Sequence, residues 1–336
     1  MKQLAAAVVM IATLLFAPGP GRAQAGADLK QYAERTEIRA IPSSTLSDAQ
    51  FLTGSDGKPV VISGTLRLAK DSGRLPVVIL LHGSGGMTGN IEYWSRELNA
   101  IGVSTFALDA FTARGLVATN TDQAALGRLN MVLDAYRALE VLARHPRVDP
   151  ARIALMGFSR GGQAALYASL KRFHRIWNRS GIEFAAYLPF YPDCMTTYLT
   201  DTEVADRPIR IFHGTADDYD PIANCRAYVE RLHAAGRDVQ LTEYANASHA
   251  FDSLLLTGTE PIILKGAQTV RHCSIREEAA GELINEASKQ PFTYKDACVE
   301  LNPHIQYDPA ATAAATRSVA DILATVFKLP PEKAMR

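Results

Sequence analysis

The stretch RIALMGFSRGGQAAL, residues 152–166, joins an apolar run to a segment rich in small helix formers through Gly157-Phe158-Ser159-Arg160-Gly161. Taken locally, Ser159 is a helix N-cap, because a serine oxygen accepts from an unpaired first-turn amide. Taken as G-x-S-x-G between strand and helix, it is a nucleophile on a strained turn, where small residues two before and two after it avoid clashes. The helix N-terminus would then face a developing oxyanion, and Gly162 would leave room for close helix packing. What the rest of the chain supplies decides between the two.

Further unalternating apolar runs flank this one: PVVILL (76–81), VSTFAL (103–108), EFAAYLPF (183–190), IRIF (209–212) and VQLTEY (239–244). Runs without alternation suit strands buried on both faces. PVVISGTLRLAK (59–70) alternates instead, like one strand of an edge hairpin. Helical spacing is expected over 121–144, with Leu126, Leu129, Leu133, Tyr136 and Leu139 on one face, and again over 160–173 and 221–235. Asp308 and Pro309 open a last helix whose stripe includes Val319, Ile322, Leu323 and Val326. Alternating strand and helix predict a mainly parallel twisted sheet with helices on both faces. Ligands of such sheets sit beyond the carboxyl ends of the strands, so functional residues are expected just after the apolar runs.

A serine hydroxyl needs a base, and the base needs an orienting group. In proteins built on a nucleophile elbow, an acid and then a histidine follow the serine. Asp217, in FHGTADDYDP, stands just beyond IRIF, with Asp218 and Asp220 as rivals that would otherwise belong to a solvated turn. His249, in YANASHAFD, follows VQLTEY, whereas His233 falls in a helical pattern, His272 adjoins a cysteine and His304 precedes the last helix. The loop HGSGGMTG (82–89) supplies small residues whose amides can approach a ligand. Ser84, with Gly85 as the alternative, and Arg160 are the expected backbone oxyanion donors, and His82 is read as structural. The loop lacks the Lys-Ser/Thr ending of a phosphate-binding loop.

The whole chain limits the partners. Its 336 residues carry 35 Lys plus Arg and 35 Asp plus Glu, so no basic footprint for nucleic acid or an anionic membrane is present. No H-E-x-x-H or spaced Cys/His cluster appears, so neither metal nor other cofactor is expected. The sequons at Asn178 and Asn246 carry little weight, since so short a pattern arises by chance.

Met1-Lys2, the run LAAAVVMIATLLFA and Ala23-Gln24-Ala25 make residues 1–25 a signal peptide with an A-x-A cleavage site. An uncleaved anchor is the alternative, but the run is short for a bilayer and nothing later is long and apolar enough to span. Export to the periplasm or beyond permits disulfides among Cys194, Cys225, Cys273 and Cys298. Of three connectivities, pairing 194 with 225 and 273 with 298 is favoured, because the first two each follow a predicted strand and the last two share one irregular segment. The expected organisation is an extension at 26–58 and one domain at 59–330 that includes a disulfide-tied excursion at 250–307.

HGSGG, LDAFTARG, VDPARIALMGFSRGG, FHGTADDYDP and ASHAFD together resemble the dienelactone hydrolase family of α/β-hydrolases, from about residue 60 to 328. The resemblance implies an α/β-hydrolase fold, a triad of Ser159, Asp217 and His249, and action on a small-molecule ester or lactone. It also supports the Cys194–Cys225 pairing, through FYPDC and DDYDPIANC. This chain departs from the namesake enzymes in having Ser159 where they use cysteine, and in carrying an export signal and the segment 250–307. The triad motifs do not fix the pocket residues that would carry their substrate over. Arg114, in FTARG, and the Arg160 side chain are candidates to bind a substrate carboxylate, against structural pairing or exposure. A peptidase or acyltransferase with the same triad, or a catalytically silent binding protein of the same fold, are the other readings. Oligomeric state is not legible.

Overall fold

A computed structural model describes residues 32–330 apart from 257 and 259, so the signal peptide expected at 1–25 lies outside the described residues. The main sheet uses β1 (Arg35–Thr45), β2 (Lys58–Leu68), β3 (Leu75–Leu81), β4 (Ser104–Asp109), β5 (Val148–Phe158) and β6 (Tyr187–Phe190). After the two-residue β7 (Thr196–Thr197), β8 (Ile209–Gly214) and β9 (Val239–Tyr244) complete it. The eight strands lie in the order β1-β2-β4-β3-β5-β6-β8-β9. β2 pairs antiparallel with both β1 and β4, and from β4 to β9 every pairing is parallel.

Alternation along β3 divides the core. Val77, Ile79 and Leu81 join the apolar cluster on one face, and Val78 and Leu80 join the other. α1 (Asp48–Thr53) precedes β2, and α2 (Gly89–Ala100) packs Ile91, Trp94 and Leu98 into the second cluster. α3 (Asn130–Ala143), α4 (Arg160–Tyr167), α5 (Lys171–Trp177) and α6 (Ile222–Ala234) cover the first. α7 (Pro309–Phe327) closes the second with Val319, Leu323 and Phe327. Its start is fixed by the Asp308 carboxylate, which accepts from the amides of Ala310 and Ala311. No helix among the described residues is long and apolar enough to cross a membrane.

Three expectations need correction. The extension expected to end at 58 instead contributes β1, which pairs with β2 along its whole length and forms the sheet edge. The helix expected over 121–144 begins only at Asn130, because the preceding backbone is engaged elsewhere. The Gln123 amide donates to Gln268 Oε1, and the carbonyls of Gln123 and Leu126 accept from Arg160. Leu126 and Leu129 are buried nonetheless. The helix expected over 160–173 is two helices, α4 and α5, separated by Ala168–Leu170.

The excursion consists of short paired segments: β10 (Ile262–Ile263), β11 (Gln268–Thr269), β12 (Ile275–Glu277), β13 (Leu283–Asn285), β14 (Gln290–Pro291), β15 (Glu300–Leu301) and β16 (His304–Ile305). β10 pairs with β16, β11 with β15, and β12 with both β13 and the distant β7. Disulfides join Cys194 to Cys225 and Cys273 to Cys298.

Candidate active site

β5 ends at Phe158 and α4 starts at Arg160, so Ser159 holds the N-cap position, but its hydroxyl makes no capping bond. Its backbone, at φ 54° and ψ −117°, lies in the left-handed half of conformational space that non-glycine residues rarely enter. The neighbouring glycines make this turn possible. A Cβ on Gly157 would strike the Gly161 carbonyl, one on Gly161 the carbonyls of Leu81 and His82, and one on Gly162 the carbonyl of Phe190. The Ser159 amide donates to Phe190 O at 3.0 Å and anchors the turn to β6. Arg160, first residue of α4, presents one of the amides that have no intrahelical acceptor.

After β8, the chain turns so that Asp217 Oδ1 accepts from the amides of Tyr219 and Asp220, each at 2.9 Å. Asp217 Oδ2 then lies 2.8 Å from His249 Nδ1, leaving Nε2 as the free ring nitrogen. Burial alone would lower the His249 pKa, but the Asp217 carboxylate, with Asp220 and Asp252 behind it, reverses the sign and raises it. Tyr191 and Tyr219 pack against the imidazole with ring centroids 4.7 and 4.6 Å away. Ser159 and His249 face one cavity of about 280 Å³.

The rival carboxylates are separated by their contacts. Asp218 is occupied by His304 Nδ1 at 2.8 Å and by Arg271 at 3.0 Å. Asp220 Oδ2 is 3.9 Å from His249 Nδ1, too far for a hydrogen bond. Burial holds the Asp220 carboxyl well above the usual carboxylate range, and nearby Asp193 and Asp217 add to this against the opposing pull of His249. The other late histidines lie in structural contacts, His233 Nε2 with Val239 O and His272 Nε2 with Glu300.

The loop after β3 is held by His82. Its Nε2 accepts from the Ala110 amide at 3.1 Å and its Nδ1 lies 2.8 Å from Gly83 O, which together specify the neutral Nδ1-protonated ring. Burial lowers its pKa and favours the same form. Ser84 lines the cavity beside Ser159, and its hydroxyl donates to Gln123 Oε1 at 3.0 Å.

The two candidate arginines have different surroundings. Arg114 is buried in a two-pronged pair with Asp134, at 2.8 and 2.9 Å, and also donates to Ala110 O and Ser44 O. That candidate substrate contact is therefore corrected to a structural tie between β1, the turn after β4 and α3. Arg160 lines a small cavity beside Ser159, and its guanidinium donates through Nη1 and Nη2 to Gln123 O and Oε1 and to Leu126 O.

Sequence reasoning missed Gln123, whose side chain meets Ser84, Arg160 and Tyr219 at once. No pattern pointed to it, since its helical context was misjudged. It also missed a second, polar cavity of about 30 Å³ beside Ser159, walled partly by Arg128, Asp193 and Tyr294. Among the described residues no group of three His, Cys, Asp or Glu is placed to hold a metal ion.

The model of the dienelactone hydrolase family matches residues 62–261. A search of curated proteins found no match. Among solved structures, the chain is similar to a dienelactone hydrolase-like promiscuous phosphotriesterase from metagenomic libraries, at 16% identity and TM-score 0.55, over 87% of this chain and 98% of that one. It is also similar to Thermogutta terrifontis esterase 2 phosphorylated by paraoxon, at 17% identity and TM-score 0.53, over 87% of this chain and 96% of that one. At these identities the two structures speak for the fold alone.

Proposed function

The chain belongs to the dienelactone hydrolase family, and within it we propose an exported serine hydrolase that cleaves a carboxylic ester or lactone through Ser159, His249 and Asp217. The observation that carries this reading is the Asp217–His249 contact of 2.8 Å facing the same cavity as a strained Ser159. Asp217, fixed by two amides, holds the imidazole by Nδ1 and leaves Nε2 to act on the serine. His249 takes the Oγ proton as the oxygen attacks the carbonyl carbon, and the amides of Ser84 and Arg160 receive the oxyanion. His249 then protonates the leaving oxygen, and water, activated by the same histidine, releases the acid. Two disulfides support export, since such bonds persist in oxidising compartments. The residues at 59–330, with β1 added at their edge, are read as one hydrolase domain.

Labelling with a fluorophosphonate tests the mechanism, and paraoxon, which phosphorylates the Thermogutta terrifontis esterase, serves as a second probe. Ser159 is the expected adduct site, and Ser159→Ala is expected to lower ester kcat by about 10⁴-fold or more. Native protein that stays unlabelled, or a Ser159→Ala variant that retains full esterase activity, excludes the mechanism.

A further inference from the structure

Two cavities of different size and lining meet at Ser159. The larger, about 280 Å³, lies between the loop after β3 and the excursion, where Leu255, Leu256, Leu264 and Ile305 form an apolar wall. The smaller, about 30 Å³, is lined by Gln123, Arg128, Gln163, Asp193, Asp220 and Tyr294. Space of that size takes one or two water-sized groups. Its walls are tied to one another: Arg128 pairs with Asp193 and donates to Tyr294 Oη at 2.7 Å, and Gln163 Nε2 donates to Asp193 Oδ2 at 3.0 Å. These bonds hold the walls that an added methylene would meet.

The position of the histidine assigns the two halves of an ester to the two cavities. His249 lines the apolar cavity and is not part of the polar one. Since Asp217 holds Nδ1, protonation of the leaving oxygen falls to Nε2, and the leaving group must lie on that side. The acyl substituent, on the other side of the carbonyl carbon, then turns toward the polar cavity. The apolar surface continues outward from the larger cavity. Leu255 is 69% exposed, and β10, which pairs with the strand carrying Ile305, leaves Ile262 and Ile263 exposed. A long alcohol therefore has more room to lie in than a long acyl chain.

Resting on the reading of Ser159 as nucleophile, we propose that the substrates are esters of very short acyl groups, acetyl- or glycolyl-sized, with large apolar alcohols. In the first half-reaction the Ser159 Oγ–carbonyl bond forms while His249 takes the hydroxyl proton. The bond from carbonyl carbon to alcohol oxygen then breaks, and the same proton leaves on the alcohol through the apolar cavity. Water adds in the second half, its proton passes by His249 back to Ser159 Oγ, and the short acid is released.

Two ester series test this. With p-nitrophenol fixed and the acyl group lengthened from acetyl to butyryl, kcat/KM is expected to fall by about tenfold or more. With acetyl fixed and the alcohol lengthened from methyl to octyl, kcat/KM is expected to rise roughly two- to fourfold per methylene until the wall is covered. Val270→Ala, which enlarges the polar cavity, is expected to raise the butyryl-to-acetyl ratio, and Leu264→Trp to lower the octyl-to-methyl ratio. Each ratio is taken within one preparation, so the fraction folded cancels. Flat or reversed series in protein that labels at Ser159 overturn the assignment while leaving the nucleophile in place. Failure of fluorophosphonate labelling removes the mechanism beneath it.

Discussion

Asp217, Asp218 and Asp220 lie within four residues of sequence, and Asp217 and Asp218 engage different histidines, His249 and His304. Asp217 spends one oxygen on two amides and the other on His249. Asp217→Asn keeps the shape but cannot hold the imidazole in its productive tautomer, so kcat is expected to fall by about 10⁴-fold. Asp220→Asn, 3.9 Å from the ring, is expected to cost less than about tenfold, roughly 1.4 kcal/mol of barrier. The pH profile separates them further. The base works when neutral, and the raised His249 pKa places the acid limb of kcat/KM above the ordinary histidine value of 6.5. Removing the Asp217 charge moves that limb to lower pH, and Asp220→Asn moves it less; a limb unmoved by Asp217→Asn contradicts the assigned orientation. Arg114→Leu strands Asp134 as a buried unpaired charge, for which a loss of about 3–5 kcal/mol in urea unfolding is expected. Its KM for anionic esters should match that of the parent, and a raised KM would restore the substrate role. Ser159, Asp217 and His249 were singled out because each lies within a few residues of the end of an apolar run. The role of Arg114 was not legible, since nothing in FTARG discloses a carboxylate on the next helix.

The elbow shows how an element can be read from composition when each small residue has a steric reason. Gly161 faces the carbonyls of Leu81 and His82, which belong to β3 and the loop after it, so α4 can approach the sheet only without a side chain there. Gly161→Ala is expected to destabilise by about 1–3 kcal/mol through overpacking and to slow fluorophosphonate labelling of the folded fraction. Unchanged urea midpoint and labelling rate would show that the approach is not tight. Buried strands were legible for the same local reason, since a continuous apolar run needs only its own neighbours to be recognised. Helix boundaries were not. Leu126 and Leu129 continue the spacing of α3 and are buried, yet the backbone at 121–129 gives its carbonyls to Arg160 and its amide at Gln123 to Gln268. Tertiary hydrogen bonds outweighed helix propensity at that end. α2 went unrecognised because its apolar stripe, Ile91, Trp94 and Leu98, is diluted by polar residues that are also buried, Asn90, Ser95 and Asn99.

Across the whole molecule, the excursion is where the sequence was least informative, because its strands are two or three residues long and draw their order from distant contacts. β12 extends β7, Arg172 reaches Glu277, and His304 and Arg271 both reach Asp218, next to the acid that holds His249. Tyr294 enters the polar cavity through Arg128, and Gln268 fixes Gln123. The excursion thus walls both cavities, and it joins the core through Val270, Cys273, Ile275 and Leu283 in one cluster and Phe251 in the other. The Cys273–Cys298 bond closes a loop of 25 residues, worth about 3.5 kcal/mol in the chain-entropy account. Opening it by the double change Cys273→Ser and Cys298→Ser should therefore loosen the excursion before the sheet. Hydrogen exchange is expected to quicken at β11 to β15 while β3 and β5 keep their protection. Ester selectivity should degrade with it, the acetyl preference narrowing as the polar cavity loses Tyr294 and Gln268, while Ser159 still labels. If β3 and β5 lose protection in step with the excursion, the two unfold as one cooperative unit, and the cavity walls cannot relax independently of the triad.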